Sequence, residues 1–230
     1  MNSIYSIFLY FRAGVFLLIC TPILLIIPFF SSSAIYPFSK FVSKGVFWCF
    51  NIKRKIVGTF PSKSAGTYIM MHNHSSFLDL FLLPSMINGK YTGIIAAENF
   101  KIPLIGSILR RIKGIPIYRK NHSSALESLK IAEKYLNDGY NIAIFPEGTR
   151  TITGKLNQFK KGGFHIAVNT QKKILPIIVQ GLYNIKPKTR WTLNPGLVKV
   201  TILEPISVVN KSVDELIIET RNLYLKYNLS

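Results

Sequence analysis

The fold is decided by residues 67–89, TYIMMHNHSSFLDLFLLPSMING, in which three kinds of sequence follow one another. Residues 67–71 form a short apolar run, which is typical of a buried strand. A polar stretch with two histidines and two serines comes next, and residues 76–89 then have the apolar content of a helix that Gly89 would end. A strand, a polar turn and a helix form the start of an α/β unit, with the polar side chains at the carboxyl end of the strand.

The same alternation continues along the chain. An amphipathic helix is predicted over residues 125–139, with Ser123 or Ser124 as its cap, and a closing helix over residues 213–227. Strands interleaved with helices indicate an α/β domain with a mixed, largely parallel sheet flanked by helices, which we expect to span residues 56–230. Further predicted strands lie at residues 91–97, 114–118, 141–145, 174–181 and 197–203.

The N-terminal part is predicted to anchor the chain to a membrane. Residues 13–30 carry no charge over 18 positions, which is near the shortest length that crosses a bilayer, and Pro22 and Pro28 are expected to bend or end the helix. In residues 34–52, apolar side chains recur at helical spacing, as in a helix that lies in the membrane interface. Its apolar side includes Phe38, Phe41, Val42 and Val46, and its opposite, polar side carries Ser39, Lys40, Ser43 and Lys44. We therefore expect residues 1–55 to form a two-helix membrane element, either spanning or re-entrant.

A cleaved signal peptide is the alternative for the N-terminal part. Its apolar core would exceed the usual length, and the SSSA sequence at residues 31–34 is a poor cleavage site. A retained anchor is therefore favoured. The first 60 residues contain no acidic residue, and the basic run Lys53–Lys55 follows the apolar segments. This charge pattern predicts a membrane-associated protein whose catalytic domain faces the cytoplasm.

The charge of the whole chain favours anionic partners. There are 29 lysines and arginines against 10 acidic residues, a formal net charge of +19. Anionic lipid, a phosphorylated substrate and nucleic acid all fit such an excess. Nucleic acid is disfavoured because the aromatic residues lie in apolar runs and are not interleaved with cations. Cys20 and Cys49 form neither a disulfide framework nor a metal-binding spacing, which indicates a reducing compartment.

The polar stretch at residues 72–79 allows four interpretations. A zinc site needs three protein ligands, and the other two histidines, His122 and His165, stand isolated. A serine nucleophile would need a Gly-x-Ser-x-Gly turn, which is absent around Ser75 and Ser76. One of these serines is expected instead to cap the following helix. We therefore expect no metal and no covalent nucleophile at this position.

The third interpretation is a proton-transfer pair, and the fourth is a capping turn. Asp79 would lie one turn inside the helix, where the helix N-terminus favours its ionised form. If it binds one ring nitrogen of His74, it fixes the tautomer and leaves the other nitrogen free to accept a proton. A lone H-x4-D pattern is short, however, and taken alone is more simply explained as a turn in which the histidine satisfies hydrogen bonds.

Two further polar clusters also lie at predicted strand or turn ends. The sequence FPEGTR at residues 145–150 offers Glu147, Thr149 and Arg150, and FKKGG at residues 159–163 adds two lysines. Arginine at such a turn suits bidentate phosphate binding. The strand at residues 114–118 likewise ends in Arg119 and Lys120. Together these clusters predict a cleft for a phosphorylated substrate.

Four of these stretches resemble a known family. NHSSFLD, GIPIYR, FPEGTR and LPIIVQG are similar, in order and spacing, to the four blocks of the 1-acyl-glycerol-3-phosphate acyltransferases, members of the H-x4-D glycerolipid acyltransferase superfamily. The resemblance covers about residues 55–205, and residues 97–106 resemble the family's segment between its first two blocks. The N-terminal part also resembles the family's membrane-binding two-helix element.

The resemblance implies roles for individual residues. His74 corresponds to the general base and Asp79 to its orienting partner. The acceptor's phosphate site corresponds to Arg119, Glu147, Gly148, Thr149 and Arg150, while Pro176 is expected to shape the cleft. The implied reaction, a step of phospholipid biosynthesis, transfers a fatty acyl group from acyl-CoA or acyl carrier protein to lysophosphatidate, giving phosphatidic acid without a metal or cofactor.

The chain departs from the family pattern at two places. Ala96 and Ala97 stand where the family usually has a lysine, and we expect Lys101 or Lys120 to supply that charge. Tyr118 precedes Arg119 where the family often has a small or acidic residue. His72 lies outside the signature and is assigned no catalytic role.

Two other functions remain open at this point. The same chemistry could use glycerol-3-phosphate, another lysophospholipid or an acylated amino-acid lipid as acceptor. A non-catalytic basic protein that binds lipid surfaces would share the charge and the apolar N-terminus. The expected partners are therefore anionic membrane lipid, lysophosphatidate and the acyl donor, with no nucleic acid.

Overall fold

A computed structural model describes residues 3–118 and 122–227 of the chain. The described part contains a seven-stranded sheet in the order β1-β7-β6-β2-β5-β3-β4. All neighbouring strands are parallel except β6 and β7, which are antiparallel. This arrangement confirms the predicted α/β class with a mixed, largely parallel sheet. The strands are β1 Lys53–Val57, β2 Ile69–His72, β3 Tyr91–Ala96, β4 Ile115–Ile117, β5 Asn141–Ile144, β6 Ile174–Gln180 and β7 Leu197–Ile202.

Helices cover both faces of the sheet. The helices are α1 Ser3–Phe30, α2 Ile35–Cys49, α3 Asp79–Leu82, α4 Ile105–Arg111, α5 His122–Asn137, α6 Gly162–Thr170, α7 Leu182–Ile185 and α8 Val213–Leu225. Strand β2 lies between β5 and β6 and is buried over its whole length. Its side chains alternate between two cores: Ile69 and Met71 pack with α5, α6 and α8, while Met70 packs with α1 and α2. The sheet thus separates the two cores.

The first helix is longer than predicted. Helix α1 continues through Pro22 and Pro28 to Phe30, so neither proline ends it. Each proline removes one backbone donor, but Leu9, Ala13 and Leu24 are buried in the core shared with α2, and this packing maintains the helix. In the described part of the chain, α1 is the single helix long and apolar enough to cross a membrane, with a mean hydropathy of 2.5.

The second helix packs differently from the prediction. Ser43, expected on the polar side of α2, is buried, and Phe41, expected on the apolar side, is 56% exposed. The reason is that α2 contacts the protein core through Val42 and Phe47, a contact that the interfacial-helix pattern did not include. The exposed apolar side chains of α1 and α2 form what we call the apolar outer face: Phe8, Phe11, Leu18, Ile19, Phe29, Phe41 and Trp48.

Two predicted helix boundaries are wrong. The helix expected over residues 76–89 is reduced to the single turn α3, after which irregular turns lead to Ile87. Pro84 contributes to this, because it lacks the amide that would donate to the carbonyl of Leu80 in a continued helix. Helix α5 begins at His122, so Ser123 and Ser124 both lie inside its first turn and neither is the cap. The closing helix α8 has the capping box of Ser212 and Glu215.

Candidate active site

The polar segments after β2 and β5 meet at one edge of the sheet. These two strands are parallel neighbours, so their carboxyl ends lie side by side. The backbone N–H of His74, after β2, donates to Oε1 of Glu147, after β5, at 2.7 Å. The N–H of Thr151 donates to the carbonyl of His74 at 2.9 Å. The first and third sequence blocks are therefore joined by hydrogen bonds.

His74 and Asp79 form a direct pair. Nδ1 of His74 lies 2.8 Å from Oδ2 of Asp79, and the same oxygen accepts the backbone N–H groups of Ser75 and Ser76 at 2.8 and 2.9 Å. Three donors converge on one buried oxygen, which suits an ionised carboxylate. The pairing requires the proton of a neutral His74 to be on Nδ1, so Nε2 can accept a proton.

The ring of Phe145 fixes the plane of the His74 imidazole. The two rings are stacked with centroids 3.6 Å apart and an interplanar angle of 18°. Phe145 follows β5 directly, so the sheet holds it in place. The His74 side chain is only 16% exposed. Between the carboxylate and the phenyl ring, the imidazole is held in one orientation.

Ser76 has a role in the turn before α3. Its hydroxyl donates to the carbonyl of Lys186 at 2.8 Å and accepts the N–H of Leu78 at 3.3 Å. Leu78 occupies the cap position of α3, and no side chain caps it. Contrary to the prediction, Ser76 therefore does not cap α3 but stabilises the turn before it. The Asp79 carboxylate accepts the amides of Ser75 and Ser76 in that turn.

Glu147 organises the loop between β5 and α6. Its side chain is 2% exposed, and its second oxygen accepts the N–H of Asn157 at 2.8 Å. Burial raises the pKa of Glu147 to about 7, although the hydrogen bonds from His74 and Asn157 favour the charged form. Both carboxylate oxygens are thus bonded to backbone amides. A smaller polar pocket of about 260 Å³ lies against this residue.

A cleft of about 610 Å³ opens beside His74. Its polar lining includes Asn99, Gly148, Thr149, Lys160 and His165. Its wall is otherwise apolar, with side chains from several elements: Leu80, Ile94, Ile95, Ile117, Leu129 and Ile166. A pocket with an apolar wall and a few polar groups near a proton-transfer pair is the usual form of a small-molecule site.

The cations predicted to lie near the phosphate site do not all occupy the same part of the structure. Arg150 makes no hydrogen bond or ion pair with the described residues, but it is not among the residues that line the cleft, unlike the two residues that precede it. Arg119 and Lys120 lie outside the described residues. Lys101 is exposed and does not line the cleft, whereas Lys160 does.

Lys186 is a residue that the sequence analysis missed. Its carbonyl accepts the hydroxyl of Ser76, which places it beside the turn that holds His74 and Asp79. Its Nζ donates to the carbonyl of Pro187 at 3.0 Å and to that of Arg190. Burial lowers the pKa of Lys186, and the charges of Arg150 and Arg190 lower it further. Nothing in the local sequence distinguished this lysine from a solvated charge.

Comparison with known proteins places the chain among acyltransferases. A family model described as Acyltransferase matches residues 53–180, more than half of the chain. The chloroplastic 1-acyl-sn-glycerol-3-phosphate acyltransferase LPAT1 of Arabidopsis thaliana is 34% identical over 178 residues, which are 76% of this chain and 46% of that protein. The 1-acyl-sn-glycerol-3-phosphate acyltransferase of Saccharomyces cerevisiae is 31% identical over 166 residues, 70% of this chain and 54% of that protein. The chain thus spans about half the length of these relatives.

A solved structure is similar over nearly the whole chain. It is the crystal structure of the 1-acyl-sn-glycerophosphate (LPA) acyltransferase PlsC from Thermotoga maritima, with a TM-score of 0.84 and 26% sequence identity. The match covers 99% of this chain and 94% of that one. The matched family model, the His74–Asp79 pair and this shared fold lead to one conclusion: the chain belongs to the acyltransferase family, in which its similar relatives are named 1-acyl-sn-glycerol-3-phosphate acyltransferases.

Proposed function

We propose that this protein transfers a fatty acyl group from an acyl thioester to the free hydroxyl of 1-acyl-glycerol-3-phosphate, giving phosphatidic acid. The observation that carries the proposal is the His74–Asp79 pair at an apolar cleft that also includes Thr149 and Lys160. The names of the relatives support the same acceptor. Acyl-CoA and acyl carrier protein are both suitable donors.

His74 acts as the general base in the proposed reaction. Its Nε2 takes the proton from the acceptor hydroxyl while that oxygen attacks the thioester carbon. The carbon–sulfur bond then breaks, and the leaving thiolate receives the proton from His74. Thioesters are already activated, so no acyl-enzyme intermediate is needed, and such general-base help is worth about 10²–10⁴-fold in rate. The oxyanion donors lie elsewhere than Ser75 and Ser76, whose amides bind Asp79.

The two substrates occupy different parts of the site. The apolar wall of the cleft accepts an acyl chain, because burying its methylene groups is favourable. The acceptor's phosphate binds Arg150 and the neighbouring turn residues Gly148 and Thr149, with Arg119 as a further proposed contact. Lys186 adds positive charge beside Arg150. Holding the phosphate sets the distance between the hydroxyl and His74, which is a positioning effect. Glu147 supports this arrangement by fixing the loop.

The lipid substrates explain the apolar N-terminus. The outer face of α1 gives the enzyme access to an acceptor that lies in a membrane. The net charge of +19 attracts anionic lipid and also the phosphates of coenzyme A or an acidic carrier protein. The basic run Lys53–Lys55 follows α2 closely, which supports a catalytic domain on the cytoplasmic side.

The test is transfer of a labelled acyl group to lysophosphatidate by detergent-purified protein. We expect His74→Ala to lower the rate by about 10²–10⁴-fold. The comparison variant is His165→Ala, because His165 lines the same cleft but makes no ion pair with the described carboxylates. It is expected to change KM and to leave kcat near the parent's, because it takes no part in the proposed proton transfer.

Other outcomes separate the parts of the proposal. Equal product from the parent and His74→Ala would show that His74 is not the base. If the parent makes no product, glycerol-3-phosphate, other lysophospholipids and acylated amino-acid lipids are tested as acceptors with both donors. Activity with one of these changes the acceptor and keeps the chemistry. Inactivity with all of them supports the non-catalytic lipid-binding function.

A further inference from the structure

His72 is buried near the proposed catalytic pair. It is the last residue of β2, and strand alternation directs it to the same side of the sheet as Met70, towards the core that contains Leu78 and Leu82 of the α3 segment. Its side chain is 1% exposed. The proposed reaction gives this histidine no task, although a buried polar ring is unfavourable unless its nitrogen atoms are hydrogen-bonded.

Two buried polar atoms in this region lack a partner among the described residues. They are Nδ1 of His72 and Oδ1 of Asp79. The other oxygen of Asp79 accepts three hydrogen bonds, one of them from His74. A donor and an acceptor buried in the same region, each without a partner, satisfy one another if one bridging water joins them.

The ring of His72 also contacts the support of the base. It meets Phe145 edge-on, with centroids 4.4 Å apart and an interplanar angle of 62°. Phe145 is the ring on which His74 is stacked. Burial lowers the pKa of His72 to about 4, and His74 lowers it further, although the nearby Asp79 carboxylate and a contact with the backbone of Asn73 oppose this effect. His72 is therefore neutral near pH 7 and offers one N–H donor.

We propose that His72 is a positioning residue for the His74 base, and this inference rests on the proposed function. Its Nδ1–H holds Oδ1 of Asp79 through one bridging water, while its ring supports Phe145. A carboxylate held only through Oδ2 can rotate about its Cβ–Cγ bond, which misaligns the hydrogen bond to His74. Holding Oδ1 as well prevents that rotation, so Nε2 of His74 keeps its aim at the acceptor hydroxyl.

Three substitutions of His72 test the proposal. His72→Asn places an amide near the position of Nδ1, His72→Gln places it near Nε2, and His72→Phe keeps an aromatic ring without a donor. We expect His72→Phe and His72→Gln to lower kcat about tenfold, the factor that one net hydrogen bond is worth. The KM values for both substrates should stay unchanged, and His72→Asn should restore most of kcat.

Thermal unfolding separates positioning from packing. His72→Phe leaves Oδ1 of Asp79 buried without its donor, and His72→Asn keeps the donor but leaves a cavity. Both variants should therefore lower Tm, whereas only His72→Phe should lower kcat. Two results would overturn the inference: a kcat for His72→Phe equal to the parent's, or equal losses in all three variants with matching losses in Tm. Either result requires a parent protein that is active. An inactive parent would instead contradict the proposed function, so the two kinds of failure can be told apart.

A second measurement does not depend on enzymatic activity. The chain has four histidines, so protein labelled with ¹⁵N-histidine gives few imidazole signals. We expect the His72 ring near pH 7 to be neutral with its proton on Nδ1, and the signal is assigned by its loss in His72→Asn or by through-bond correlation to the backbone. A proton on Nε2 alone would show that Nδ1 donates to nothing and would refute the inference.

Discussion

The backbone N–H of His74 donates to Oε1 of Glu147 at 2.7 Å, although the two residues are 73 positions apart in the chain. This bond couples the proposed base to the loop that carries Thr149 and Arg150. The second oxygen of Glu147 holds Asn157 in the same loop. The position of His74 and the shape of the loop proposed to bind phosphate therefore depend on one carboxylate.

Glu147 is expected to make stability depend on pH. Its pKa is raised from 4.5 to about 7, so between these values the folded protein keeps a proton that the unfolded chain releases. The free energy of unfolding therefore falls as pH rises through this window. Denaturant titrations at pH 5 and pH 8 should show this fall in the parent and a smaller fall in Glu147→Gln. An identical pH dependence in the two proteins would contradict the assignment.

Asp79→Asn is expected to damage both the fold and the reaction. The asparagine amide is uncharged, so it accepts weaker hydrogen bonds from His74, Ser75 and Ser76. Its NH₂ group can also donate to Nδ1 of His74, which favours the tautomer with the proton on Nε2. We expect the free energy of unfolding to fall by about 1–3 kcal/mol. We expect kcat to fall by about 10²–10⁴-fold, the contribution of a general base. Asp138→Asn, at an exposed position after α5, is the control and should change neither. If kcat of Asp79→Asn stays within about threefold of the parent's value, Asp79 does not orient the base.

Phe145→Leu tests the stacking contact with His74. Leucine is apolar but lacks the ring face on which the imidazole rests at 3.6 Å. We expect a loss of about 1 kcal/mol in the free energy of unfolding, and a kcat reduced by about fivefold with unchanged KM values. Steady-state kinetics with both substrates varied will show this. A raised KM with an unchanged kcat would mean that Phe145 contacts substrate and does not position the base.

Lys186→Gln and Lys188→Gln make a matched pair for the phosphate site. Each removes one positive charge. The charge of Arg150 acts on Lys186, whose Nζ also donates to two backbone carbonyls, and Lys188 is exposed. Lys186→Gln removes positive charge near Arg150 and should raise KM for lysophosphatidate, and Lys188→Gln should not. A monoacylglycerol, which lacks the phosphate, should be acylated equally by both. A rise in KM for acyl-CoA alone would assign Lys186 to the donor.

Ile19→Lys and Ile218→Lys test the apolar outer face. The two side chains have similar exposure, 63% and 60%, but Ile19 lies on α1 and Ile218 on α8. A lysine within a membrane segment is unfavourable by about 2.5–3.5 kcal/mol on insertion scales. Flotation with lipid vesicles should therefore show weaker binding for Ile19→Lys and unchanged binding for Ile218→Lys. Equal binding by both variants would mean that α1 does not enter the lipid.

Local features could be read from the sequence. The strand predicted over residues 67–71 is observed as Ile69–His72, because it depends on residues close together in the chain, where periodicity decides the outcome. The same reasoning failed where a local pattern met a distant partner. The pattern of α2 did not indicate that Ser43 is buried, because that depends on packing against the sheet. The prolines of α1 were expected to bend or end a helix that tertiary packing maintains.

The sequence by itself determined the class of fold and the apolar N-terminus, because these follow from short-range patterns. His74 and Asp79 were singled out by the family resemblance, since their spacing taken alone is more simply explained as a capping turn. Only the tertiary structure decided the strand order, the bond between His74 and Glu147, the proximity of Lys186 to Arg150 and the burial of His72. These relationships join residues brought together by sheet register and by the crossing connections between parallel strands. Their energies depend on burial and distance, which exist only once the chain has folded.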